Sequence, residues 1–392
     1  MKDVFIVAAK RTPVGSLMGG LSALNAPQLG AIAIKAAYTA AGVESGLIDE
    51  VYFGNVLSAG LGQAPARQAA IFAGIPAERD ATTINKVCSS GMKSVMLAAQ
   101  QIQLGLSDIV LAGGMESMSQ APHYHYLRQG HKYGNVSLAD GMIKDGLWDV
   151  YNDYHMGSAA ELAAQKYTVS REAQDAYAIA SYEKAVAATQ AGKLTQEIVP
   201  VEIPGKKGVA TLAHDEDIYK LIPEKVARLK PAFEADGTIT AANASNLNDG
   251  AVAILLASAE AVQQHGLKPI ARILGFADAA QAPEWFSTSP SLAIPKALKH
   301  AGLQLPDIDL FEINEAYAAV VLANQQILGI DPQKTNIYGG AVAIGHPLGA
   351  SGARITGTLA YALQQEHKRY GVAAICNGGG GASAIVLENL SF

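Results

Sequence analysis

Two stretches of this chain repeat one plan: "CSSGMKSVMLAAQQIQLGLSDIVLAGGMES", which begins at Cys88, and "HPLGASGARITGTLAYALQQEHKRYGVAAICNGGGG", which begins at His346. Each starts at a reactive side chain, sets a glycine three residues on (Gly91 and Gly349), and runs a helix of small and apolar residues. Each then ends in an apolar strand and a glycine-rich turn. Using the plan twice constrains the chain to two similar halves. Approximate twofold packing of those halves would bring the two helix N-termini, with Cys88 and His346, face to face. The helices carry one cation each, Lys93 and Arg354, and helices with so little polar surface belong inside a protein.

The rest of the pattern agrees with an α/β body. Strand-like runs at Val4–Ala8, Val51–Gly54, Thr82–Val87, Ile109–Gly113, Ile270–Phe276, Leu310–Ile313, Ala373–Cys376 and Ala384–Leu387 alternate with helical patterns. The helical patterns are Pro27–Ala41, Gly91–Leu104, Leu292–Ala301, Glu315–Leu328 and Gly349–Gln364, and the alternation predicts mostly parallel sheets. From Ser119 to Ala242 the composition shifts to Tyr, His and charge, with one capped helix, "SREAQDAYAIASYEKAVAATQAG". Ser170 suits its N-cap and Gly192 its end. The expected organisation is an N-terminal α/β half over 1–118, an inserted lobe over 119–242, a return over 243–268 and a C-terminal α/β half over 269–392.

Composition excludes several classes. A net charge of −6 gives no general reason to bind nucleic acid or an acidic membrane surface. No apolar run is long enough to span a bilayer. Lys2-Asp3 leads straight into "VFIVAA" without a targeting pattern, and the two cysteines read as reduced thiols, so a cytoplasmic protein is expected. A zinc site is not expected, because His123 and His125 lack further ligands at useful spacing.

Four positions could carry chemistry, each with a plainer alternative. Cys88 at a helix N-terminus would see the positive dipole end and free amides, which favour thiolate; a small buried core residue is the alternative. Cys376 precedes "NGGGG", which reads as an anion-binding loop, an oxyanion hole or a tight strand-to-strand turn. A P-loop is not supported, since no Lys-Ser/Thr follows. His346 lies between Gly345 and Pro347, at the expected cap of the second repeat helix, where histidine is a poor capper; a hydrogen-bonded structural histidine is the alternative. Asn314, in "FEINEAYAAV", either caps the next helix or holds a ligand oxygen at a strand's carboxyl end.

The motifs "NKVCSSGMKS", "GGMESMS", "HMGSAAE", "TAANASNLNDGA", "NEAYA", "GGAVAIGHPLGASGAR" and "CNGGGGAS" resemble, in order and over nearly the whole chain, those of the thiolases. The "CNGGGGAS" ending and "FADAAQAPEWF" are most similar to the biosynthetic, acetoacetyl-CoA type. The resemblance implies a layered α-β-α-β-α body and a reversible Claisen condensation of two acetyl-CoA to acetoacetyl-CoA plus CoA. Cys88 would carry the acyl group. His346 would activate it, Cys376 would move the α-proton, Asn314 would position a water in one oxyanion hole, and the Cys88 and Gly378 amides would form the other. No covalent cofactor is implied, and CoA is substrate and product.

The same resemblance assigns CoA and acyl contacts to Tyr182, Leu221, Lys225, Ser245, His155, Met156 and Tyr317. Leu221 stands where relatives often carry Arg, and Tyr317 replaces a common Phe. It implies activation by K⁺ through Tyr182, Ala241, Ala242, Ala244 and Val342, and a homotetramer joined through Pro122–Trp148. Three rival readings are a broader 3-ketoacyl-CoA thiolase, a non-catalytic acyl-CoA- or lipid-binding relative, and a ketoacyl synthase. Keeping Cys88, His346 and Cys376 together argues against the second. The third would use a second histidine where Cys376 stands.

Overall fold

The computed structural model describes residues 2–205 and 208–392. Its main sheet comprises β1 (Val4–Arg11), β2 (Glu50–Gly54), β3 (Asp80–Ile84), β4 (Ile109–Ser117), β5 (Asn248–Ser258), β6 (Ala271–Ala280), β7 (Leu310–Ile313), β8 (Tyr370–Asn377) and β9 (Gly381–Glu388). The spatial order is β7-β8-β9-β6-β1-β5-β4-β2-β3, and Gly15–Ser16 adds a short tenth strand beside β5. The order β6-β9-β8-β7 matches β1-β5-β4-β2 in sense: antiparallel, antiparallel, parallel. The repeat in the sequence is therefore a repeat in topology. Its halves meet where β1 pairs with β6.

The expectation of mostly parallel sheets is corrected. Among β1 to β9, the parallel pairs are β2–β3, β2–β4 and β7–β8, and the other five are antiparallel. A tight glycine turn joins β8 to β9 and forces them antiparallel, and β5 returns from the lobe antiparallel to β4. Strand β5 was not among the predicted strands; its run "AVAILLAS" is buried throughout and so shows no alternation.

Among the described residues the α-helices of more than ten residues are α1 (Ala26–Ala41), α2 (Ser90–Gln103), α3 (Met156–Lys166), α4 (Arg171–Gln190), α5 (Pro290–Ala301), α6 (Ala318–Leu328) and α7 (Leu348–Gln365). Met92, Val95 and Ile102 of α2 share one core with Ile355 and Leu359 of α7, and with Val110, Ile254, Ile375 and Ile385 from both halves of the sheet. On the outer faces, Leu29 and Ile34 of α1 pack with Val51 and Leu255, and Ile294 and Leu298 of α5 pack with Val372 and Val386. Five layers result, α-β-α-β-α. Every residue of α7 from Leu348 to Leu363 is buried, which explains its near lack of charge.

Glycine lets the two central helices touch. A Cβ on Gly114 would lie 1.9 Å from the Gly349 carbonyl oxygen, and one on Gly91 would lie 2.8 Å from the same atom. The first turns of α2 and α7 thus meet backbone to backbone. In the lobe, α4 starts and stops as its sequence predicts: Ser170 Oγ accepts from the Ala173 amide at 3.2 Å, and Gly192 takes φ +71° just past its end. Among the described residues, no helix is long and apolar enough to cross a membrane.

Candidate active site

Cys88 lies in the turn between β3 and α2. The predicted strand Thr82–Val87 ends at Ile84, because Val87 takes φ +48°, a costly conformation for a β-branched residue. Ser90 Oγ fixes the turn by accepting from the Lys86 amide at 2.8 Å and donating to the Val87 carbonyl. Cys88 precedes the first residue of α2 by two positions, as His346 precedes that of α7. The matching positions read from the repeat are real.

Ser89 ties this turn to the second cysteine. Its hydroxyl donates to Asn377 Oδ1 at 2.9 Å and lies 3.3 Å from the Ile375 carbonyl, the residues on either side of Cys376. Beyond Asn377 the glycines make a tight strand-to-strand turn, with Gly379 and Gly380 at φ +82°. The same turn delivers the Gly378 N–H to the Cys88 sulfur, which the N–H of Cys88 also approaches. The plain alternative, the strand-to-strand turn, is what the backbone forms, and the turn also brings an amide to the first thiol.

The thiols are not poised as thiolates. Burial pushes the Cys88 thiol up to about 12, and Glu116 adds to the rise, against the lowering effect of the Gly378 and Cys88 amides. The amides act in the expected direction, toward thiolate, and desolvation of the half-buried residue opposes them. Cys376 is raised further by burial and by Cys88 beside it. Both resting side chains carry a proton.

His346 lies one residue ahead of the cap of α7, which is Pro347, so its expected capping position is corrected by one. The ring does something else. With Ser351 Oγ donating its single proton to the Pro347 carbonyl at 2.9 Å, it accepts from His346 Nδ1 at 2.6 Å. This assignment puts the proton on Nδ1 and leaves Nε2 as an acceptor, which suits the Asn314 amide beside it. Burial, with Arg354 nearby, lowers the imidazole to about 3, so it is a neutral base at ordinary pH. Nε2 lies 3.5 Å from Asn314 Nδ2.

Asn314 does not cap a helix. The predicted helix Glu315–Leu328 begins only at Ala318, and Tyr317 ahead of it is extended, at φ −146° and ψ 150°. Glu315 holds this irregular stretch by accepting from Tyr177 Oη, Ser181 Oγ, Asn336 Nδ2 and the Val342 amide at 2.8 to 3.0 Å. Asn314 Oδ1, buried, has no partner and remains free for a guest.

The remaining predicted residues fall into two groups. Met156 and Tyr317 pack with Cys376 in one cluster, and Phe233 stacks on His155 at 4.7 Å and meets Tyr317 edge-on at 6.0 Å. His155 also caps α3, its Nδ1 accepting from the Gly157 amide. Tyr182, Leu221, Lys225, Ala241 and Ala242 line a separate cleft of about 270 Å³, together with Asp217 and Lys220. Leu221 packs on the apolar cluster that holds Tyr182 and Val342. Asn246 Nδ2 bridges the Tyr182 hydroxyl at 3.2 Å and the Val342 carbonyl at 3.5 Å, while Ala244 and Ser245 run beside Ala316–Tyr317.

Sequence reasoning missed Ser351, Phe233 and Glu116. Glu116 is buried and accepts from Asn55 Nδ2 and from the amides of Val56, Leu57 and Gly349, which clamps α7 to the first half. Only Ser351 carried a signal, five residues after His346 on the same helix start.

Comparison with known proteins agrees with this geometry. Residues 4–260 match the family described as thiolase, N-terminal domain, and residues 267–389 match thiolase, C-terminal domain. The chain is 56% identical to acetyl-CoA acetyltransferase 2 of Arabidopsis thaliana over 99% of its own length and 98% of that protein's. It is 54% identical to a cytosolic acetyl-CoA acetyltransferase of Gibberella zeae, over 100% and 99% of the two chains. A crystal structure of Acat5 thiolase from Ascaris suum in complex with coenzyme A superposes with a TM-score of 0.94 at 49% identity, covering 99% of this chain and 100% of that one.

Proposed function

The chain belongs to the thiolase family, and from that premise we propose that it is an acetyl-CoA C-acetyltransferase, condensing two acetyl-CoA to acetoacetyl-CoA and CoA and running thiolysis in reverse. The observation that carries the reading is one thiol beside two amides with a second thiol on the adjoining hairpin; His346 stands at the matching start of α7, whose Leu348 packs with Cys88, and supplies the base. Binding alone requires none of the three.

The protonation states give the steps. Cys88 sulfur attacks the acetyl-CoA carbonyl carbon while His346 Nε2 takes its proton. The C–S bond to CoA breaks, and the Cys376 thiol protonates the departing sulfur. Cys376, now a thiolate, takes an α-proton from the second acetyl-CoA, whose carbanion attacks the acyl-Cys88 carbonyl. A C–C bond forms, the bond to Cys88 breaks, and Cys88 recovers its proton from His346. The Cys88 and Gly378 amides would hold the oxyanion on the acyl carbonyl. The imidazolium of His346, with a water on Asn314, would hold the enolate oxygen.

His155, Met156 and Tyr317 are assigned to the acyl and pantetheine path, and Tyr182, Leu221, Lys225 and Ser245 to CoA. For K⁺, the hydroxyl of Tyr182 and the carbonyls of Ala241, Ala242, Ala244 and Val342 offer oxygen donors only, the set a large, weakly hydrated monovalent cation accepts. Exposed Tyr126, Tyr133 and Leu138 within Pro122–Trp148 support a homotetramer, and the likeness to the cytosolic Gibberella zeae protein supports a cytoplasmic one.

The test is thiolysis of acetoacetyl-CoA by free CoA, with and without K⁺, beside a long-chain 3-ketoacyl-CoA and Cys88→Ala. Cleavage that needs Cys88, rises with K⁺ and favours the short substrate is expected. Preference for the long chain moves the protein to fatty-acid degradation. Inertness toward both leaves a binding protein.

A further inference from the structure

We infer that Asn248 and Asp217 are positioning residues that tie His346 to the wall of the cleft holding Lys220 and Lys225, so that the base loop and the cleft form one hydrogen-bonded unit. The His346 amide donates to Asn248 Oδ1 at 2.9 Å. Asn248 Nδ2 donates to Asp217 Oδ2 at 2.8 Å and to the Gly15 carbonyl at 3.0 Å. The other oxygen of Asp217 accepts from Lys220 Nζ at 2.9 Å and from Ser16 Oγ, whose own acceptor site takes Lys220. Asn248 is fully buried, and Asp217 and His346 are each 5% exposed. Asp217 and Lys220 both line the cleft.

Packing makes the arrangement stiff. Gly345 takes φ +113°, and a Cβ there would lie 2.4 Å from Asn248 Cγ, so the Asn248 amide lies flat on the backbone that leads into His346. The side chain has one carbonyl oxygen and one amide, and the loop takes the first while the cleft wall takes the second. Neither Asn248 nor Asp217 needs to touch the reacting atoms. Their effect is on where His346 Nε2 stands, and a displacement of about 1 Å there costs on the order of 100-fold in rate.

The inference rests on the reading of His346 as base, and the test separates the two. Asn248→Asp sets carboxylate oxygens against Asp217 and against the Gly15 carbonyl, and Asp217→Asn leaves an amide N–H facing either Asn248 Nδ2 or Lys220 Nζ. The double variant restores one donor to one acceptor between the two side chains, with the roles exchanged, and leaves the Gly15 carbonyl without its donor. Each single variant is expected to lower kcat for thiolysis by about 10- to 100-fold with the KM for CoA within about twofold, and the double to recover at least about tenfold over the worse single. Iodoacetamide alkylation of Cys88, which needs no turnover, is expected to slow in Asp217→Asn and recover in the double; this arm holds if Asn248→Asp alone does not fold. A raised KM at unchanged kcat, or a double no better than the product of the singles, overturns the inference. A wild-type protein without Cys88-dependent thiolysis overturns the functional reading instead.

Discussion

His346 is kept neutral by its surroundings, and that has a thermodynamic cost. Its folded pKa of about 3 lies below the ordinary 6.5, so between those values the unfolded chain binds a proton that the folded one refuses. The contribution of His346 to stability is undiminished above 6.5 and falls by about 1.4 kcal/mol per unit as pH drops toward 3. Glu116, raised by burial to about 7 from 4.5, acts with opposite sign, so wild-type stability alone does not isolate the histidine. The difference between wild type and His346→Asn does. Measured by urea unfolding, it is expected to shift against wild type steadily from pH 6.5 downward, and a difference independent of pH would show that the imidazole is not held neutral. Cys88, His346 and Cys376 were legible because rare or poorly suited residue types stood at glycine-rich element ends. Ser351, Asn248 and Glu116 were not, because their acceptors and donors come together only in the fold: Asn248 meets a residue 98 positions away and Glu116 one 233 away.

At the scale of elements, α2 and α7 depend on glycine where they cross β4. A methyl group on Gly114 would sit 1.9 Å from the Gly349 carbonyl oxygen, and backbone atoms on both sides have no rotamer to change. Gly114→Ala is expected to cost about 3 kcal/mol or to abolish soluble expression, whereas Gly46→Ala, with no atom within 4 Å of its added Cβ, is expected to stay within about 0.5 kcal/mol. Equal unfolding midpoints for the two variants would show that the crossing yields. Helices α2, α4 and α7 were readable from capping residues and small-residue runs. Strand β5 was not, since burial on both faces erases the alternation that marks a strand, and the start of α6 was misplaced because Glu315 spends its carboxylate on four donors outside the helix.

Across the whole molecule, the two halves were visible in the repeat, while the sheet that joins them was not. That junction rests on three residue pairs between Val4–Ile6 and Ala271–Ile273, and pairing register between distant strands leaves no local mark. Each half contributes one central helix to a shared core. Residues 1–264 expressed alone are therefore expected to give no cooperative urea transition, and a sharp one would show that the first half has a sufficient core of its own. The backbone contact between the central helices has a mechanical meaning as well. At the first turns no side chain intervenes, so the spacing of the two helix starts that follow Cys88 and His346 is set by backbone alone. A change of side chain elsewhere along either helix cannot retune that spacing; only a change of one of the glycines at the crossing can.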